Sequence, residues 1–401
     1  MNEDIRREFP IFEDGSFVYL DSAATTQKPK QVIDRLNHFY LKEYATVHRS
    51  IYKQSRLAEK AFYQVREKVA AFLKVDDPEA VIFTRGTTES INLVASTIFE
   101  ILPKERKKVV ITAMEHHANM VPWQQAAKRN NLLIEVVPLL EDGSLNIMKA
   151  KEMLQEDVAL FACTHISNVL GTINPIEELC KHCRSKGIIT LIDGAQSVPH
   201  SALDLREIDP DFFVFSSHKM YGPTGVGVLW GRKALLEKMP PYQTGGSMIE
   251  TVTFDTSSFL PPPLRFEAGT PSIGEVIAFG EALEFLSSIG KEKIDQIETA
   301  LLVYAEDRLS RISELTILSS GKGKKAPISS FIIEGVHPLD LASLLDIKGV
   351  AIRSGHMCAE PLLQSLGYSS VARMSLGIYN SERDVDLFLK ALEYAITALR
   401  S

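Results

Sequence analysis

Val214-Phe215-Ser216-Ser217-His218-Lys219-Met220-Tyr221-Gly222-Pro223 is the stretch on which the reading of this chain turns. An apolar run of strand character ends in serines and a histidine, then a lysine, then a glycine-rich turn. Among apolar and hydroxyl neighbours an ammonium loses solvation, which brings the neutral amine within reach and lets it form a Schiff base. Taken alone, Lys219 could equally be a surface lysine that follows a strand. The decision comes from upstream.

Ile188-Ile189-Thr190-Leu191-Ile192-Asp193-Gly194-Ala195-Gln196-Ser197 reads as a buried parallel strand ending in a carboxylate. Ligands of α/β sheets bind outside such strand ends. A strand-terminal aspartate can also be a helix N-cap. Together, however, Asp193 and Lys219 meet the demands of pyridoxal phosphate, which needs a carboxylate against its pyridinium nitrogen and a lysine on the opposite side of the ring. Pyridoxal phosphate is therefore the expected cofactor.

Working outward, apolar runs at 80–84, 109–114, 133–137, 158–162, 188–192, 212–215 and 226–230 alternate with helix-length segments. This is the pattern of an α/β fold with a mainly parallel sheet covered on both faces. Residues 1–13 read as an amphipathic arm and 17–21 as a strand. Pro261-Pro262-Pro263 and Glu267-Ala268-Gly269-Thr270-Pro271 mark a rigid loop before a helix over 272–289. Beyond it the spacing predicts a smaller α+β unit: helix 291–313, strand 328–334, helix 338–346, strand 350–352, a cysteine-bearing loop, strand 371–376 and helix 381–399. The expected division is a large cofactor-binding domain over 14–285 and a small domain made of 1–13 and 286–401. The basic turn at 321–325 reads as solvated.

A chain of 401 residues, 45% hydrophobic, has room for two domains and a large core. Its formal charge of −7 argues against a nucleic-acid surface, which would be basic. The N-terminus lacks a signal-peptide core and no run reaches the length of a membrane span, so a cytoplasmic protein without a membrane partner is expected. The four cysteines, Cys163, Cys180, Cys183 and Cys358, do not form a disulfide framework in a chain this long. Cys180 and Cys183 continue the apolar face of a helix, and a lone C-x-x-C falls short of the four ligands of structural zinc, so no metal site is expected.

The remaining chemistry lies at strand ends. Thr84-Arg85-Gly86-Thr87-Thr88-Glu89 joins a strand to a helix, where free N–H groups and the helix dipole favour an anion, with hydroxyls from Thr87 and Thr88. Without a ligand it would be a threonine-capped helix. Ser216 and His218 could close the same phosphate pocket. In Glu115-His116-His117-Ala118-Asn119, one imidazole can stack on a pyridine ring and exchange protons near neutrality, the other histidine of the pair being structural. Asn168 follows another strand and can bond the ring hydroxyl or a substrate carboxylate. Arg353-Ser354-Gly355-His356-Met357-Cys358-Ala359-Glu360-Pro361 reads as an accessible loop holding a thiol between basic side chains, which favour the nucleophilic thiolate. Cys358 is the candidate nucleophile, and Arg373 is suited to a substrate carboxylate.

Together with Leu20-Asp21-Ser22-Ala23-Ala24, Val47-His48-Arg49, Asp193-Gly194-Ala195-Gln196 and Arg265-Phe266-Glu267-Ala268-Gly269-Thr270-Pro271, these motifs resemble the class V aminotransferase family of pyridoxal phosphate fold type I. Within it they are most similar to the SUF-type (group II) cysteine desulfurases, over nearly the whole chain. The resemblance implies an aspartate aminotransferase-like large domain with a seven-stranded sheet, and a homodimer that turns L-cysteine into L-alanine and a persulfide on Cys358 for iron–sulfur cluster assembly. It implies Lys219 as the Schiff-base residue, Asp193 at the pyridinium, Gln196 at the phenolic oxygen and His116 over the ring. Thr88, Ser216 and His218 would hold the phosphate, joined by Thr270 of the other subunit. Asn168 and Arg373 would hold the substrate carboxylate, and His48 and Arg49 would line the entrance.

The family's cysteine loop usually carries a second histidine where this chain has Met357, which would leave His356 and Arg353 to serve the thiol. Relatives that use a zinc-carrying acceptor tend to have a histidine two residues after the first residue of the His-Pro step. Here that step is His337-Pro338 and the position is Leu339, so a zinc-free acceptor of the SufE type is expected, with the SUF scaffold further downstream. Selenocysteine lyase is the second enzymatic reading, and a cofactor-binding scaffold without turnover is a third.

Overall fold

The computed structural model describes residues 3–15, 17–48, 51–318 and 323–400. Its centre is a seven-stranded sheet in the order Val81–Thr84, Gly227–Gly231, Phe212–Ser216, Ile189–Asp193, Val158–Thr164, Lys108–Thr112, Leu133–Val137. Gly227–Gly231 runs antiparallel to both neighbours, and the other pairings are parallel. Each expected strand is present, with ends shifted by a residue or two.

Central strands read as unbroken apolar runs because both faces are covered. Successive side chains point to opposite sides, so Phe213 and Phe215 join one buried cluster and Phe212 and Val214 join another across the sheet. Gly227 lets the first two strands close up, since a Cβ there would stand 2.4 Å from Gly86 Cα. A Cβ on Gly194 would enter the Phe213 ring at 2.2 Å, so glycine after Asp193 is a packing requirement.

A second sheet is antiparallel, in the order Leu315–Ile317, Ile328–Ile333, Val371–Ser375, Arg353–Gly355. Helices Lys291–Leu309, Pro338–Ile347 and Glu382–Arg400 contribute to its core, with Leu301, Leu302, Leu345, Phe388 and Leu392 buried together. The N-terminal arm joins the two units. Ile5, Phe9 and Phe12 bury in the core of the large sheet, and Arg6 meets Asp384 of the last helix at 2.8 Å. Val18–Tyr19 pairs with Val350–Ala351, so Val18 and Leu20 belong to the core of the small sheet.

Besides the helix expected over 291–313, which ends at Leu309 and is followed by the unexpected strand Leu315–Ile317, three features depart from expectation. Arg353–Gly355 is an edge strand and not loop, with Arg353 opposite Arg373 in register; three residues are too few to show a period. Ile249–Val252 and Ser257–Phe259 form an exposed hairpin, unread because its few apolar side chains bury little. Of the basic turn, residues 321 and 322 lie outside the described residues, but Lys325 is only 11% exposed and pairs with Glu306 at 2.7 Å, so it is not a solvated turn residue.

One buried ion pair positions the phosphate-side strand. Arg66 donates to both oxygens of Glu267 at 2.9 and 2.8 Å and also to Val81 O, while Glu267 accepts Phe83 N–H at 2.8 Å. Removing one member strands a charge in the core. Arg66→Met is therefore expected to cost about 3–5 kcal/mol, and Arg66→Met/Glu267→Met much less. Urea unfolding of the three proteins checks this; equal losses in single and double variants would contradict it.

Candidate active site

The carboxyl ends of the sheet converge on a cavity of about 270 Å³, lined by Thr87, Thr88, His116, Asn168, Asp193, Gln196, Ser216, His218, Lys219, Arg353, Cys358 and Arg373 among others. It lies between the large sheet and the Arg353–Gly355/Val371–Ser375 edge of the small one. Residues far apart in the chain meet because strand ends supply one wall and the small sheet the other.

At its anion end, helix Thr87–Thr97 begins immediately after Gly86. Thr87 N–H donates to Ser216 Oγ at 2.8 Å, and the two hydroxyls lie 2.7 Å apart, so one donor of the helix start is already engaged. Glycine at 86 is not forced by a neighbouring side chain, since a Cβ would meet Ser216 Oγ at an ordinary 3.5 Å. His218 is pushed down to about 4 by burial and then by Lys219 and Lys28, so its ring is neutral at neutral pH.

Lys219 follows in the short turn Ser217–Lys219, directly after its strand. Burial pushes its amine below the ordinary lysine range, against the pull of Asp193. Asp193 in turn is raised by burial, opposed by Ala195 N–H, which donates to Oδ1 at 2.9 Å, and by Lys219. Among the described residues Oδ1 is the oxygen so engaged, which leaves Oδ2 to accept from a ligand. A buried carboxylate of this kind calls for a cationic partner. Gln196 donates Nε2 to Ala23 O at 2.8 Å, which orients its amide at the wall.

His116 differs from expectation in its proton chemistry. Burial, then Lys219, push it down to about 3, so it stays neutral and does not exchange protons near neutrality. Its Nδ1 accepts Ala118 N–H at 3.0 Å, which puts the proton on Nε2. Beneath it, Glu115 is fully buried, accepting from Thr112 Oγ1 at 2.5 Å, Asn119 Nδ2 at 2.5 Å and Thr164 N–H at 2.9 Å. Burial still raises Glu115 to about 8. This carboxyl ties the His116 turn to the strand carrying Thr164, a link across 49 residues that local spacing does not show.

The cysteine turn is pinned from two sides. His117 N–H donates to Cys358 O at 2.7 Å, and Asn168 Nδ2 donates to Met357 O at 2.8 Å. Met357 and Cys358 both have positive φ, 54° and 52°, a conformation that costs a non-glycine residue about 1–2 kcal/mol. His117 is the structural partner, its Nε2 accepting Glu360 N–H at 3.1 Å. Met357 is buried with Val169, Leu170, Leu362, Leu363 and Val371, so the position of the family's second histidine is here an apolar plug. His356 is exposed beside His117, with ring centroids 5.7 Å apart, and is not among the residues lining the cavity.

Arg373 is almost fully buried, donating to Asp21 Oδ1 and Asn168 O, each at 2.9 Å. Its Nε is buried without a hydrogen-bond partner among the described residues. Arg353 reaches the other oxygen of Asp21 at 3.7 Å and is half exposed. Thr270 and His48 are not brought to this cavity. Thr270 is exposed in a separate hollow with Arg85 and Glu89, and His48 turns to Glu59 at 3.3 Å. Arg49 lies outside the described residues.

Cys180 and Cys183 are buried on helix Ile176–Ser185 as its apolar face predicts. No helix among the described residues is long and apolar enough to cross a membrane.

Residues 18–388 match the family model for class-V aminotransferases. The chain is 44% identical to a probable cysteine desulfurase of Halalkalibacterium halodurans, over 97% of each protein. It is 42% identical to a cysteine desulfurase of Pectobacterium atrosepticum, over 98% of this chain and 97% of that one. Among solved structures it is similar to the Escherichia coli cysteine desulfurase CsdA, with a TM-score of 0.93 and 33% identity over 99% of both chains. The apo cysteine desulfurase of Thermococcus onnurineus NA1 gives 0.94 and 34% identity over 99% of this chain and 98% of that one.

Proposed function

The chain belongs to the class-V aminotransferases and aligns end to end with cysteine desulfurases, and from that premise we propose that it converts L-cysteine to L-alanine with pyridoxal phosphate, leaving the sulfur on Cys358. The observation that carries this reading is one cavity lined by a desolvated lysine, a buried carboxylate, a neutral imidazole and an accessible cysteine. The residues fit the cofactor. Asp193 Oδ2 would accept from a pyridinium N–H, Gln196 would meet the phenolic oxygen, His116 would cover the ring, and Thr88, Ser216 and His218 would hold the phosphate.

Bound there, pyridoxal phosphate supplies an electron sink for charge developing at the substrate α-carbon. The chain's own groups do the rest. Lys219, whose amine desolvation holds below the ordinary lysine range, takes the α-proton and returns it. Arg373 and Asn168, both lining the cavity, orient the substrate carboxylate. The Cys358 thiolate attacks the substrate sulfur; the S–S bond forms as the Cβ–S bond breaks, and its electron pair stays with the carbon skeleton that leaves as alanine. Mass spectrometry of the enzyme after L-cysteine addition should find one extra sulfur on Cys358, with alanine released. Alanine without sulfur on Cys358 would point to another nucleophile.

The enzyme works as a two-fold homodimer with Thr270 donated to the partner's phosphate site, which agrees with its exposure away from its own cavity. Co-expressing Lys219→Ala and Thr270→Ala chains should yield mixed dimers more active than either homodimer, because one site then carries both lesions and the other neither. No gain on mixing would count against a shared site.

The persulfide passes in the cytoplasm to a zinc-free acceptor of the SufE type for iron–sulfur cluster assembly. Leu339, 57% exposed on the first turn of its helix, offers no zinc ligand, and the burial of Met357 removes a second. Stimulation by such a partner should survive zinc chelation, by thiol–persulfide exchange. A partner that works only when zinc-loaded would show Leu339 to be a poor guide.

A further inference from the structure

The carbonyl oxygen of His218 sits in the peptide bond leading into Lys219. Toward it point Thr26 N–H at 3.0 Å, Thr25 Oγ1 and Thr26 Oγ1 at 3.1 Å each, and Lys28 Nζ at 2.9 Å. The broad lone-pair region of a carbonyl oxygen takes two donors well and a third more weakly, so a fourth is displaced. The backbone N–H cannot turn away. Thr26 Oγ1 already accepts Tyr221 N–H at 2.8 Å, and its proton goes to this carbonyl. Lys28 bridges the same oxygen and Thr26 O at 2.6 Å. Burial pushes Lys28 down to about 7, yet charged or neutral it keeps N–H donors for both carbonyls. Thr25 alone has an alternative, His218 Nδ1 at 3.2 Å.

We propose that Lys28 is a positioning residue: by occupying the His218 carbonyl it turns the Thr25 hydroxyl onto His218 Nδ1 and holds that ring as the Nε2–H tautomer, a donor toward the anion end of the cavity. A neutral imidazole has one N–H, so the choice decides whether an anion meets a donor or a lone pair. Without Lys28 the relay reverses. His218 Nδ1–H then donates to Thr25 Oγ1, the Thr25 hydroxyl donates to the carbonyl, and Nε2 carries a lone pair.

The proposal rests on the pyridoxal phosphate site described above, and its test separates the two. In apoprotein labelled with ¹⁵N-histidine, His218 Nδ1 should resonate as unprotonated in the wild type and as protonated in Lys28→Met, with Lys28→Arg restoring the wild-type pattern. Pyridoxal phosphate should bind Lys28→Met roughly tenfold more weakly, the order expected for one lost hydrogen bond to a charged group. Pyridoxal without phosphate should bind both proteins alike. Thr25→Val, which lacks the relay hydroxyl, should lose the same preference for the phosphorylated ligand with Lys28 in place. Unchanged nitrogen shifts in Lys28→Met, or equal weakening for both ligands, would overturn the proposal. Failure of wild-type apoprotein to bind pyridoxal phosphate would instead overturn the cofactor site, while the nitrogen shifts still decide the relay.

Discussion

Lys219→Ala is expected to lower turnover of L-cysteine by about 10⁴-fold, the upper range for removing a positioned proton-transfer group, while the fold survives. Its amine lies in the cavity and forms no part of the sheet, so far-ultraviolet circular dichroism should not change. The cofactor should lose the long-wavelength absorbance that comes from its covalent attachment to the enzyme. Stability should also respond to pH in a defined direction. Burial holds the folded-state pKa of Lys219 below the unfolded value, so between those two values the unfolded chain binds more protons and wild-type stability rises with pH. As pH falls below the ordinary lysine value of ~10.4, the apo wild type should lose stability relative to apo Lys219→Ala. Melting temperatures of the two apoproteins across that range measure the difference. A variant that keeps the covalent absorbance without added amine would move the attachment point elsewhere.

Cys358→Ala is expected to reduce sulfur release from L-cysteine by on the order of 10³-fold, about 4 kcal/mol of barrier, because no other thiol reaches the substrate. Among the described residues, Cys163, Cys180 and Cys183 are buried and Cys358 is the remaining cysteine. Burial pushes Cys163 and Cys183 well above the ordinary thiol range and Cys180 up to about 12. Removing Cys358 leaves Lys219, Asp193 and Arg373 in place, so substrate should still bind and exchange its α-proton with solvent deuterium. The weaker carbon–selenium bond depends less on the thiol, so activity on selenocysteine should fall less. Loss of α-deuterium exchange in step with sulfur release would show that the substitution damaged the site as a whole. Wild-type sulfur release would place the nucleophile elsewhere.

Sequence alone was enough for the seven central strands, and it singled out Lys219, Asp193, Thr87, Ser216 and Cys358, which the structure brings to one cavity. A strand covered on both faces must be apolar throughout, and the polar residue that ends it stands out. Local spacing carries both signals. Tertiary structure alone decided the partners. That His116 is a neutral ring follows from its burial beside Lys219, and that Glu115 braces its turn follows from Thr164, which no local spacing connects to it. That Arg353 faces Arg373 across a strand pair depends on a register set by the whole small sheet. That Met357 is an apolar plug depends on Val169 and Leu170 arriving from the segment after strand Val158–Thr164. Periodicity reports what one segment buries. Protonation state, hydrogen-bond direction and the second wall of a cavity depend on which remote segment does the burying, and those contacts exist only after the chain has folded.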